Sequence, residues 1–174
     1  MTTQERRAAV LAAIQDSAQP ISAKTLAKQY EVSRQTIVGD IALLRAQGAN
    51  VIATVSGYYI QTVQQRQQYY RGQVVCQHTP AKTRAELLAI VKNGGRVVDV
   101  TVDHPLYGEL TGQLGIATLT DVNQFMQKIK ANPQQRLLAT LTNGVHLHTM
   151  ECASEQDFER ILAALSELGV RYEK

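Results

Sequence analysis

Four histidines, His78, His104, His146 and His148, and two cysteines, Cys76 and Cys152, fall in the later part of this 174-residue chain. His146 and His148 are two apart in the run GVHLHT, so on a strand their rings share one face. His78 ends another short apolar run, VVCQH, and Glu86 lies on the helical pattern that follows it. Imidazole and carboxylate together suit a divalent transition metal such as Zn, Ni, Fe or Mn. Cys76 shares a strand face with His78, and Cys152 shares one with His148, so either thiolate could replace Glu86 as a ligand. Each residue also has a plainer use. Glu86 stands three after Thr83, the spacing of a capping box, and capping alone would explain it. His78 would suit a strand end, and His104 precedes Pro105 in DHPLYG, a turn signal. On these residues alone, both readings stand.

A second place for chemistry lies earlier, in ISAKTLAKQYEVSRQTIVGDIALLRAQ, residues 21–47. Leu26, Ala27 and Tyr30 give one apolar face, and Ile37, Ile41 and Leu44 give another at helical spacing. Ser33 stands where an N-cap should, followed by Arg34, Gln35 and Thr36 on the exposed first turn. In a helix-turn-helix, such a tip reaches base edges in the major groove. Arg bonds guanine bidentately and Gln bonds adenine. The plainer alternative is a helical hairpin with a polar face.

The elements that must position these groups form two sets. Helices are expected over residues 4–16, 22–29 and 33–47, with Ser22 and Ser33 as caps and Gly48 as a stop. Ala9, Val10, Ala13 and Ile14 face inward on the first. VIATVSGYYI, residues 51–60, reads as a hairpin around Ser56-Gly57. Three helices and a hairpin make a winged helix, over residues 1–62. Ser56 and Tyr58 of the wing, with Ser33 and Arg45, are then candidates to hold DNA backbone. Residues 63–73, at the end of a glutamine-rich stretch, read as a linker. The second domain, 74–174, reads as strands at 74–78, 96–104 and 108–116, with helices at 83–93, 121–131 and 154–168. Residues 136–152 read as a hairpin turning at Asn143-Gly144. Thr120 is the expected cap of the helix at 121–131. The order βαββαββα predicts an α+β sandwich, helices on one face of a mostly antiparallel sheet.

Composition narrows the function classes. No apolar run approaches the ~20 residues of a membrane helix. The first residues, MTTQERRAAVLAAIQDS, form a short amphipathic pattern with acids rather than a secretory signal, so a cytoplasmic protein with no membrane partner is expected. The two distant cysteines then read as free thiols. Net charge is +3, and residues 1–60 carry six Lys and Arg against four Asp and Glu. That is compatible with a nucleic-acid partner if Lys24, Lys28, Arg34 and Arg45 cluster.

The segments SRQTIVGDIALLRAQG (33–48), IATVSGYYI (52–60), HTPAKTRAELLAIVKNGGRVVDVTVDHPLYGEL (78–110) and NGVHLHT (143–149) resemble the niacin-responsive transcriptional repressors, which join a winged helix to a three-histidine domain. The resemblance covers nearly the whole chain, and HPLYGEL and GVHLHT are its most specific parts. It implies a homodimer that represses genes of NAD synthesis or niacin uptake on double-stranded operator DNA. Nicotinic acid is the implied co-repressor, beside a divalent transition metal (Zn, Ni, Fe or Mn). The family's metal ligands carry over onto His78, Glu86, His146 and His148. His104 and Tyr107 match the effector segment, and Arg96 offers a cation for the nicotinate carboxylate. Gly39 departs from recognition helices that carry a larger polar residue there. No nucleophile motif or phosphate-binding glycine loop is present, so an enzyme is not expected. The alternatives are a regulator that answers metal alone and a metal-dependent hydrolase.

Overall fold

The structure, a computed structural model, describes residues 1–60 and 69–172. The chain divides into two compact units, Met1–Arg66 and Gln67–Lys174.

In the first unit, α1 (Thr3–Asp16), α2 (Ala23–Gln29) and α3 (Arg34–Ala46) precede a hairpin of β1 (Val51–Ala53) and β2 (Tyr58–Ile60). Ser22 and Ser33 cap α2 and α3 as expected, each accepting the amide of the residue three on. Val10 and Ile14 of α1, Leu26 of α2, and Ile37, Ile41 and Leu44 of α3 meet in one core with Val51. The Tyr30 hydroxyl donates to the Ala9 carbonyl at 2.9 Å, tying α2 to α1. A tie that sequence reading passed over joins α1 to α3. The buried Asp40 carboxylate takes a two-pronged bond from Arg6, at 2.7 Å from Nε and 3.2 Å from Nη2. The wing is anchored through backbone bonds between Tyr58 and Ile21. Gly57 makes this approach possible, because a Cβ there would lie 2.4 Å from the Ile21 carbonyl.

Gly39 lies exposed on α3 with open space where a Cβ would stand. A mid-helix glycine costs on the order of 1 kcal/mol relative to alanine. Gly39→Ala is therefore expected to stabilise the first unit by about 1 kcal/mol, read as a higher urea midpoint. An unchanged or lower midpoint would show that glycine has a structural use there.

The second unit holds one antiparallel sheet in the order β3–β6–β4–β5, from β3 (Tyr70–Gln77), β4 (Arg96–His104), β5 (Gly108–Ile116) and β6 (Val145–Cys152). Helices α4 (Thr83–Lys92), α5 (Leu119–Ala131) and α6 (Glu155–Glu167) pack on one face, which is the expected α+β layering. Two elements differ from expectation. Strand β3 begins at Tyr70, so the linker expected at 63–73 cannot extend that far; its residues 63–68 lie outside the described residues, as do 61 and 62 of the expected winged helix. The inward residues at the start of β3 are Tyr70, against the Phe158 ring, and Gly72, where a Cβ would meet that ring at 2.4 Å. A glycine in an inward position hides the alternation that marks a strand. The second difference is the hairpin at 136–152. Only β6 is a strand, and Leu138–Thr142 form a 3-10 turn. Asn143 and Gly144 do turn left-handed, but they join that 3-10 turn to β6. A strand would aim Leu137 and Leu138 at opposite faces, whereas here both line one pocket.

Smaller corrections concern caps. Thr118, not Thr120, caps α5, in a reciprocal box with Asp121. No side chain caps α4, so Thr83 and Glu86 form no capping box. The C-terminal segment adds bonds along the outer edge of β3, from Tyr172 to Val75 and from Gln77 to Val170, covering part of an edge strand. Among the described residues, no helix is long and apolar enough to cross a membrane.

Candidate functional site

Strand period and sheet register place His146 and His148 side by side on the helix-covered face of β6. His78 follows the end of the neighbouring strand β3. Helix α4 lies over them and lowers Glu86 onto all three rings. The Glu86 oxygens lie 3.0 Å from His146 Nε2, 2.8 Å from His78 Nε2 and 3.5 Å from His148 Nε2. All four side chains are at most 4% exposed. Every ring is fixed from behind by a backbone carbonyl, which can only accept. His78 Nδ1–H donates to Thr79 at 2.8 Å, His146 to Gly144 at 2.8 Å and His148 to Asp99 at 2.7 Å. Each Nε2 is thereby turned toward the carboxylate, with the outer nitrogen anchored as in metal-ligating histidines.

Two backbone features make these anchors. Val98 bulges β4 between Val97 and Asp99, where two pairings on β6 run through consecutive residues. The buried Asp99 carboxylate accepts the Thr149 amide and holds its own carbonyl against His148. Gly144 passes so close to the His78 backbone that a Cβ would lie 2.4 Å from its carbonyl oxygen, at a φ of +87° that favours glycine. Sequence reading missed Asp99; its signal was an acid inside the β-branched run RVVDVTV.

The electrostatics follow from this closeness. Burial favours neutral imidazole, but the Glu86 carboxylate outweighs it and holds His78 and His148 above their ordinary 6.5. Burial likewise penalises the Glu86 charge, yet the three imidazoles hold its carboxyl far below the usual range. A histidine raised on folding contributes its stability fully below its unfolded value, and loses it as pH rises through the folded value. Protein stripped of metal by chelation is therefore expected to lose stability as pH climbs from about 6.5. Affinity for a divalent metal should rise over the same window, because protons cease to compete for Nε2. Urea midpoints and zinc titrations on either side of that pH check both signs. A stripped protein that gained stability there would contradict the assignment.

Beside the rings lies a small pocket of about 50 Å³, walled by Leu87, Val100, Leu114, Phe125, Leu137 and Leu138. A second of about 190 Å³ shares His78, Thr83, Leu137 and Ala139 with it and adds Thr79, Thr140 and Asn143. Neither is lined by the residues expected to meet an effector. His104 ends β4, where its Nδ1 accepts the Leu106 amide at 3.2 Å and its ring stacks near Tyr107. Tyr107 is 73% exposed in the β4–β5 turn. Arg96 starts β4 opposite Glu151, 3.8 Å from its carboxylate. Strand period puts that pair on the face away from His148. The pocket's Leu137, Leu138 and Phe125 were not singled out from the sequence, since apolar residues in a turn and on a helix read as ordinary core.

In the first unit, Arg34 and Gln35 stand exposed at the tip of α3. Thr36 shares a bond with the Ser33 hydroxyl at 2.8 Å, so its oxygen serves the cap. Arg45 donates from Nε to the Val51 carbonyl at 2.7 Å and braces β1. Ser56 donates its amide to the Thr54 hydroxyl within the wing turn, and Tyr58 packs against the core. Of these residues, Arg34 and Gln35 are left exposed at the tip of α3, while Arg45 and Tyr58 hold the wing in place.

Comparison with known proteins joins the two units. Residues 6–59 match an HTH domain family and residues 71–174 match the 3H domain family. A protein of Thermotoga maritima named "Probable transcription repressor NiaR" is 39% identical over 171 residues, covering 98% of this chain and 95% of that protein. One of Bacillus subtilis named "Transcription repressor NadR" is 39% identical over 166 residues, covering 95% and 92%. Likeness of this extent runs through both units, and it removes the hydrolase alternative. The chain belongs to the family of transcription repressors built from an HTH domain followed by a 3H domain.

Proposed function

We propose that this repressor controls genes of NAD synthesis or niacin uptake in the cytoplasm, with nicotinic acid as co-repressor and a divalent transition metal held by His78, Glu86, His146 and His148. The observation that carries the reading is the convergence of three buried imidazoles on one buried carboxylate, beside an apolar pocket. The donor set fits a cation. Two ligands about 2.0–2.2 Å from a shared metal lie roughly 2.9–3.5 Å apart, close to the spacings seen here. His78 Nε2 is buried and makes no directed hydrogen bond despite its nearness to Glu86, a lone pair that suits a metal.

A bound cation supplies positive charge and a coordination position that a pyridine nitrogen or a carboxylate can complete. The protein supplies the rest. The three carbonyl anchors keep each Nε2 aimed inward. Leu87, Val100, Phe125 and their neighbours exclude water and offer apolar walls to a flat ring. The two adjoining spaces together exceed the roughly 150 Å³ that holds a benzene ring. Thr79, Thr83 and Asn143 of the larger one offer hydrogen bonds to a carboxylate, the role expected of Arg96.

The chain acts as a homodimer with two recognition helices in successive major grooves, about 34 Å apart, on a near-palindromic operator. If nicotinic acid favours the arrangement that fits DNA, DNA must raise nicotinic acid affinity by the same factor. Calorimetric titration of metal-loaded protein with nicotinic acid tests this, with nicotinamide and His146→Ala as controls. Selective binding that the variant loses supports the proposal. No binding of either compound overturns the effector and leaves metal as the signal.

A further inference from the structure

Cys76 is fully buried on β3, directly across from His146 on β6 and on the same face. Its Sγ, a Glu86 oxygen and a His146 ring nitrogen all lie within 4.8 Å of one another. His78, two residues along, has a side chain only 4% exposed, and its Nε2, without a directed hydrogen bond, turns to the same carboxylate. The thiol therefore lies on the same sheet face as His146, within reach of Glu86 and His146. Cys152, the other thiol, is placed differently. It sits at the opposite end of β6 beside Tyr70, and its Sγ donates to the Ser154 carbonyl.

We propose that Cys76 is a further ligand of this centre, its sulfur joining Glu86 and His146 on the metal. The inference rests on the metal reading above and extends its ligand set. Without metal, Cys76 is a free and fully buried thiol. When a divalent cation binds, the S–H bond breaks, the proton leaves to solvent and the sulfur–metal bond forms. No electron changes hands. A thiolate among imidazoles shifts preference toward Zn, Ni or Co and away from Mn, whose ligands are oxygen-rich.

The test loads the full chain with Co(II) or Zn(II). Cobalt-loaded protein should show a near-ultraviolet sulfur-to-metal charge-transfer band. Cys76→Ser should lose that band while keeping the visible bands of nitrogen- and oxygen-bound cobalt, and Cys152→Ser should keep both. X-ray absorption of the zinc-loaded wild type needs no variant, and should show a sulfur scatterer at about 2.3 Å. Metal bound through nitrogen and oxygen alone overturns this proposal and leaves the metal centre standing. A chain that binds neither ion overturns both.

Discussion

Glu86→Gln is expected to remove metal binding while leaving the fold intact. Glutamine keeps the shape of the side chain, and its amide NH₂ can donate to the Nε2 lone pairs that the carbonyl anchors aim at it. It removes the negative charge that the centre contributes. Losing a partner of a metal ligand costs about 10–100-fold in affinity, and losing the charged ligand itself should cost at least about 100-fold. Zinc titration against a competing chelator reads this directly. Thermal unfolding gives a second reading. Metal at 100 times its dissociation constant stabilises by about 2.7 kcal/mol. For a unit of this size that raises the midpoint by roughly 10–20 °C. The wild type should show such a rise on adding zinc, and Glu86→Gln should not. The variant without metal should also lose the decline in stability above pH 6.5, because the carboxylate that raises His78 and His148 is gone. A variant that still binds zinc as tightly as the wild type would move the centre away from Glu86.

Arg34→Ala should weaken specific DNA binding by at least about 30-fold and leave metal and effector binding unchanged. Arg34 stands exposed on the first turn of α3, behind a cap that fixes the helix start. A bidentate contact to one base pair is worth about 1–3 kcal/mol of discrimination. With one recognition helix from each protomer of the proposed dimer, the loss is about 2–6 kcal/mol, or roughly 30-fold to 10⁴-fold in affinity. Selecting a binding site from random duplexes with the wild type, then measuring both proteins on it, provides the test. Equal affinity would remove Arg34 from the residues that read DNA. A loss equal on specific and random duplexes would make it a phosphate contact instead.

The first unit was legible in the sequence almost residue by residue. Its caps at Ser22 and Ser33, the helical spacing of Ile37, Ile41 and Leu44, and the Ser56-Gly57 turn are local signals. Each acts within a few residues of where it is written. What was missed there, the Arg6–Asp40 bond, joins two helices far apart in the chain and has no local trace. In the second unit the same local signals succeeded for α4, α6, β4, β5 and β6. They failed at Gly72, where close packing on Phe158 requires glycine and erases the strand pattern. They failed again at Leu137 and Leu138, whose apolar character serves a pocket wall rather than a sheet.

The candidate site divides along the same line. Sequence alone determined that His146 and His148 share a strand face, and resemblance to a family joined His78 and Glu86 to them. It left Glu86 open between a ligand and a helix cap, because spacing serves both uses equally. The tertiary structure removed the cap use, since no side chain caps α4 and Glu86 is buried against the three rings. It also decided that Asp99 and Gly144 hold those rings from behind, and that Arg96 and Tyr107 lie outside the pocket. Such facts depend on which strands pair and in what register. That is settled by the packing of the whole unit, where burial and hydrogen bonding are satisfied together, and not by any short stretch of the chain.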